Sequence, residues 1–552
     1  MCNWNRTWKK QRTENNPRCF HVCALAAVLA AALTVAAPFE GMSAVAFGAQ
    51  QGIKQELPSG GVIGPVTESV VRVVSDGTQT KNTLRSIRPE LRQYDWDCYS
   101  NDYYYSKLSA KEQLLYERLD AACAELLTTA DAEVPLYEVT LKEPAADGST
   151  KINRRGTKMV STLGLTTGQV KMVQTLFVYA NPQYYFLNTI LLENTLDNTC
   201  ALGVYDLFTD GNSRAQATAE VQAKLTALQA RVSDNGYVYE TEAQIHDLLC
   251  DELTYLPGDD VLSDYSDPLY TQSVYGALTS NATVCAGYTK LYSMLCNYFG
   301  IDCIAVTSTS HAWNEVRYGD HWYIVDVTWD DTRDRSRYFH ISDARMKATD
   351  QQNSHVPYSY YEGLRPVADV DFDGGLMLMP GVAQPKVTVK DTAPGVTITF
   401  ASDQGDVYYT LDGTIPGEDD LYTEPIALTD SGTYVVTAVA KGAGKIASAY
   451  EIFPVRIAGG SVSVSSSTNV SGKKIKVKLK STKTFAGYEV SFASKKDFSN
   501  QKSLKIKTKA ATISGLKKGK TYYVRVRGYQ LDAYGNIYYT PYSKMKKVTI
   551  KK

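Results

Sequence analysis

"NATVCAGYTKLYSMLCNYFGIDCIAV", residues 281–306, and "HAWNEV", residues 311–316, contain the change of period that decides the fold. Residues 285–299 have helical spacing, and Gly300 supplies a stop signal. Beyond it the period falls to two. Residues 304–306 predict a short strand, and residues 311–318 and 321–329 predict a hairpin about Gly319-Asp320. Upstream, Ser109 and Glu112 form a capping box that opens an amphipathic helix through Leu115, Leu119, Cys123 and Leu126. Further helical patterns cover 169–179, 215–232 and 240–253. Helices followed by antiparallel strands predict an α+β core.

A two-residue turn pairs Tyr318 with His321, and counting outward sets Trp313 opposite Asp326. His311 and Asp326 then become diagonal neighbours on one face. A carboxylate there orients the imidazole and stabilises its charged form. His321 lies at the turn and cannot do the same. Cys285 is the matching nucleophile, because unpaired N–H groups and the dipole at a helix start favour a thiolate. Beside a histidine it is expected to form an ion pair. Cys296 and Cys303 are expected to pack in the core or pair with each other. No Ser lies in a G-x-S-x-G elbow. A Cys at a helix start, followed by His and Asp on successive strands, is the constellation of papain-like thiol chemistry.

The Cys-Ala-Gly-Tyr start at 285–288, "HAWN" at 311–314 and "HWYIVDVTWDD" at 321–331 resemble the core of the transglutaminase-like superfamily, in its secreted bacterial form. "YYYSKLSAKEQLLYERL" at 103–119 and "ANPQYYFL" at 180–187 resemble the helical portion that precedes this core, so the likeness extends over roughly 95–370. The resemblance implies Cys285 as nucleophile, His311 as general base and acid, and Asp326 as orienting carboxylate. Cross-linking members also use a Trp upstream of the cysteine to stabilise the oxyanion. This chain has no Trp between Trp96 and Trp313. The Cys285 N–H supplies one oxyanion donor, the second is unidentified, and hydrolysis and cross-linking both remain open.

At 552 residues the chain exceeds one hydrophobic core. Lys9, Lys10, Arg12 and Arg18 precede an apolar run over 20–37, and Ala44-Val45-Ala46 fits a cleavage site, so residues 1–46 are expected to be a signal peptide. The alternative is an uncleaved membrane anchor. A linker is expected over 47–93, and a helical region plus the catalytic domain over 94–375, with its core at 238–345. The predicted fold class is thus multidomain: an α+β papain-like core preceded by helices and followed by two all-β sandwiches, at 383–457 and 466–552. "DVYYTLDGTIPGEDDLYTEPIAL" at 406–428 and "TAVAKGAGKIAS" at 437–448 resemble the noncatalytic C-terminal sandwich of chitobiase and hexosaminidase, here expected to be a spacer. "ISGLKKGKTYYVRVRGY" at 513–529 resembles fibronectin type III, with Leu516 and Tyr522 spaced as in a tyrosine corner.

Of ten Cys, Cys2, Cys19 and Cys23 fall in the signal, leaving an odd number for an exported chain and hence at least one unpaired thiol. Residues 461–552 carry 22 Lys and Arg against 3 acidic residues, and the remainder is acidic by about 20 charges. That basic module suits an anionic cell-wall polymer. Nucleic acid is not expected, since export and the lack of interleaved aromatics argue against it. No cofactor or metal is expected. "DVDFDG" at 369–374 opens like a calcium loop, but Pro380 stands where its bidentate Glu belongs, and neither H-E-x-x-H nor paired C-x-x-C occurs. The expected function is a secreted or cell-surface thiol enzyme acting on amide bonds of a protein or peptide, among them cell-wall peptides. The alternative is a silent adhesion scaffold on the same fold.

Overall fold

The computed structural model describes residues 70–72, 96–128, 137–141, 152–256, 270–332, 335–392 and 395–551. The expected signal peptide over 1–46, with its apolar run and Ala44-Val45-Ala46, lies outside them. Among the described residues no helix is long and apolar enough to cross a membrane.

Three of the long helices start at side-chain caps. Ser109 N–H donates to Glu112 at 2.8 Å ahead of Ala110–Thr128. Thr166 and Gln169 cap each other at Thr167–Ala180. The Asp210 carboxylate accepts from Ser213 N–H at 2.8 Å to open Gly211–Gln229. Val238–Glu252 follows, then Cys285–Tyr298, which ends ahead of Gly300 at φ 74°. The last of these packs on a four-stranded antiparallel sheet in the order Phe339–Ile341, His321–Val325, Ala312–Tyr318 and Cys303–Thr307. Asn314 fastens the two layers, donating to Thr289 O at 3.1 Å. Tyr318 pairs with His321 in the predicted hairpin register.

Three expectations are corrected. The second hairpin arm stops at Val325, and Val327–Thr332 is a short helix. Asp326 causes the switch: its Oδ1 accepts from Trp329 N–H at 3.1 Å, which is N-cap chemistry and stronger locally than the β period. Second, the region ahead of the core is not only helical. Val70–Arg72, Leu187–Asn194, Thr199–Val204, Ile152–Gly156 and Tyr137–Leu141 form a sheet in that order, with Val160–Ser161 also on Thr199–Val204. Val70–Arg72, within the segment expected to be linker, pairs parallel with Leu187–Asn194. Thr199–Val204, at the middle of this sheet, is buried along nearly its whole length, so alternation does not mark it. Third, the last module starts at Val462, inside the segment expected to be a joint. Val462 and Val464 are buried while Ser463 and Ser465 are exposed, a half-buried strand disguised by serine.

The first sandwich stacks Lys386–Asp391, Val396–Ala401 and Ile426–Leu428 against Asp406–Thr410, Gly432–Lys441 and Glu451–Ile457. It is docked on the α+β core rather than held away from it as the expected spacer would be. Buried Arg317 donates to Asp302 at 2.8 Å and to Ser448 O, and its guanidinium lies 3.9 Å from the Tyr450 ring centre. The second sandwich sets Val462–Val470, Lys474–Ser481 and Ala510–Ile513 against a sheet built on Gly487–Ala493 and Thr521–Leu531. Lys517 N–H donates to the Tyr522 hydroxyl at 3.1 Å, a tyrosine corner as in fibronectin-like sandwiches. Along Lys474–Ser481, Lys474, Lys476, Lys478 and Lys480 are exposed while Ile475, Val477 and Leu479 are buried.

Candidate active site

Cys285 is the first residue of its helix, following Val284 in extended conformation. The helix can start there because Gly287 lets the preceding segment lie against it. A Cβ on Gly287 would come 1.8 Å from Thr283 Oγ1 and 3.2 Å from Thr271 O. Thr283 Oγ1 in turn donates to Thr271 O at 2.6 Å. Gly287→Ala therefore has to push Thr283 off its acceptor. A loss of about 1–3 kcal/mol is expected from such overpacking, measurable as a lower urea midpoint. An unchanged midpoint would show that the contact is slack.

His311 directly precedes the strand Ala312–Tyr318, and its Nε2 donates to Asp326 Oδ2 at 2.7 Å. Both side chains are buried. Sequence reasoning missed a third partner: His355 Nε2 reaches the same Oδ2 at 2.9 Å. His355 is itself tied to Asp350, through its backbone N–H at 2.7 Å and Nδ1 at 3.3 Å. The His355 ring packs 4.9 Å from Trp313 and 4.5 Å from Trp329. Its scarcity was the only signal, since the chain has six His and no motif surrounds this one.

The electrostatics follow from burial and pairing. Burial disfavours charge on His311, but Asp326, and after it Cys285, raise its pKa to about 10. Burial likewise opposes charge on Asp326, yet His311 and His355 hold its carboxyl well below the usual carboxylate range. Against its own burial, Asp350 is held at about 2 by His355 and backbone N–H groups. With Nε2 engaged by Asp326, the His311 atom left for Cys285 is Nδ1, which has no hydrogen-bond partner of its own.

The remaining candidates fall elsewhere. His321 pairs with exposed Asp369 at 3.2 Å, away from the buried cluster. Cys296 and Cys303 are buried free thiols that lie against each other, and every described Cys is free. In the calcium-like stretch, Asp371 accepts from Ser342 N–H and Asp373 from Gly375 N–H, both at 2.8 Å. Among the described residues, His311, Asp326 and His355 are the group whose ligand atoms approach within 4.8 Å of one another. Both imidazoles already donate to the same carboxylate oxygen, so a cation would have to displace those two hydrogen bonds.

Residues 226–327 match the Transglutaminase-like superfamily, a span that takes in Cys285, His311 and Asp326. Residues 385–450 match the Chitobiase/beta-hexosaminidase C-terminal domain. No curated protein matches the chain. Among solved structures, the FN1-FN3 domains of chicken CNTN1 are similar at 17% identity and a TM-score of 0.21, over 32% of this chain and 69% of that one. A score that low assigns nothing to this chain.

Proposed function

We propose, from the premise that residues 226–327 form a transglutaminase-like domain, that this protein is an exported thiol enzyme catalysing acyl transfer at amide bonds. The supporting observation is the short His311–Asp326 hydrogen bond, 2.7 Å, which leaves Nδ1 for Cys285 at the helix start. Cys285 sulfur attacks the amide carbonyl, a C–S bond forms, and the π pair moves to oxygen. His311 protonates the leaving amine as the C–N bond breaks. Water or a second amine then attacks the thioester, giving its proton to His311 and freeing the sulfur. Cys285 is 2% exposed, so this chemistry requires the groups covering it to move when substrate enters. The test is to incubate the whole protein with cell-wall peptides and with glutamine-bearing proteins, with and without an amine, and map adducts by mass spectrometry. Turnover with no adduct at Cys285 would sink the reading.

His355 acts as a positioning residue in this scheme. Its hydrogen bond draws on the carboxylate oxygen that also holds His311. His355→Phe should leave Asp326 to act on His311 alone, moving the alkaline limb of the rate profile upward. The rate itself should fall about tenfold, the scale seen for partners that orient an imidazole. His355→Gln, which keeps an N–H donor, should restore part of the rate. A purely structural His355 would lower the melting temperature and leave the limb in place.

The exposed lysines of Lys474–Ser481 suit an anionic wall polymer, and export by residues 1–46 would bring the protein to it. Retention on such a polymer should fall steeply with salt; salt-independent retention would contradict it.

A further inference from the structure

We propose that the Tyr179 hydroxyl is the second oxyanion donor, completing with the Cys285 N–H the pair that holds the tetrahedral intermediate. This inference rests on the acyl-transfer reading above. Tyr179 lies in the last turn of Thr167–Ala180, outside the span matched to the family. It shares one buried patch with Cys285, Ala286, Ala305 and Ala312. Those neighbours are a thiol, which bonds only weakly, and three methyl groups, and the Tyr179 oxygen is buried without a hydrogen-bond partner. A buried hydroxyl left without a partner is unfavourable. That cost is offset if a partner arrives with the substrate.

The surroundings also determine which way the hydrogen bond runs. Burial, and then the charge of Cys285, push the Tyr179 pKa well above its ordinary value. The phenol therefore keeps its proton and acts as a donor. The Lys290 ammonium lies 4.9 Å from the ring centre and is held by Gln272 O at 2.9 Å. A cation against the ring face draws electron density from the phenol and strengthens its O–H as a donor. The first N–H groups of a helix have no intrahelical acceptor, which leaves the Cys285 N–H available as the other donor. Negative charge that develops on the carbonyl oxygen then meets two preorganised donors in a site shielded from water.

The test uses two reagents on the whole protein. p-Nitrophenyl acetate acylates Cys285 through a tetrahedral oxyanion and releases nitrophenolate. Iodoacetamide alkylates the same sulfur at a saturated carbon, releases iodide and forms no oxyanion. Tyr179→Phe keeps the ring and removes only the oxygen. It should slow acylation about 100-fold, the effect of losing one oxyanion donor, while alkylation keeps its wild-type rate. Unchanged acylation would overturn the assignment, and a parallel fall in both rates would reduce Tyr179 to a packing role. Failure of the wild-type protein to acylate at Cys285 would instead sink the acyl-transfer reading, and Tyr179 with it.

Discussion

Cys285→Ala is expected to fold as the wild type does and to lose amide acyl transfer by on the order of 10⁶-fold, the scale set by removing a protease nucleophile. The fold should survive because the sulfur lies among small groups. Ala286, Ala305 and Ala312 surround it, and one more alanine leaves a gap of only a single atom. The activity should not survive, because no other thiol can substitute. Cys296 and Cys303 face each other in the core, and burial, together with neighbouring Glu242, pushes both of their pKa values up. Turnover of the wild-type substrate and circular dichroism on the same sample check both halves. A folded Cys285→Ala variant with undiminished turnover would contradict the mechanism.

Asp326→Asn is expected to cost about 10⁴-fold in turnover, as at the equivalent position of a serine protease triad. The carboxylate has three duties. Oδ1 caps the helix Val327–Thr332 through Trp329 N–H, and Oδ2 accepts from both His311 and His355. An Asn keeps one acceptor, so the cap can survive. Its amide N–H groups would then confront two imidazole N–H donors, forcing His311 into the tautomer that places a proton, not a lone pair, toward Cys285. The pH profile carries a second signature. Asp326 is the leading charge that raises the His311 pKa to about 10 against burial. In the proposed mechanism protonated His311 gives up its proton to the leaving amine, so wild-type turnover should persist up to that pH and fall above it. Without the carboxylate the His311 pKa drops and the falling limb moves to lower pH. That shift is opposite to the one expected for His355→Phe. A wild-type limb in Asp326→Asn would show that Asp326 does not govern the base.

Much of this site is legible in the sequence, for reasons that differ by residue. The Cys285 helix shows itself through spacing and its Gly300 stop, and a two-residue turn fixes the register that brings His311 toward Asp326. Asp326 lies where the sequence predicts a strand, because a run of Tyr323, Ile324, Val325 and Val327 has strong β character and a side-chain cap leaves no periodic trace. His355 and Tyr179 reach the site from sequence-distant segments, one from a loop 29 residues beyond Asp326 and one from an upstream helix. Single-sequence patterns report neighbours along an element and carry no record of such long-range approaches. The upstream sheet was hidden for a similar reason: Thr199–Val204 is buried along nearly its whole length, so no alternation separates its two faces. In the first sandwich, family likeness located the module. Its docking rests on Arg317, whose partners Asp302 and Ser448 come from opposite sides of the junction.

The most direct measurement is peptide mapping of the full-length protein after brief exposure to p-nitrophenyl acetate and an acid quench. The account predicts a single acetyl group, on Cys285, removable by neutral hydroxylamine as a thioester is, and missing when His311 is replaced by Ala. An acetyl group on another residue, or one on Cys285 that forms equally fast without His311, would contradict it.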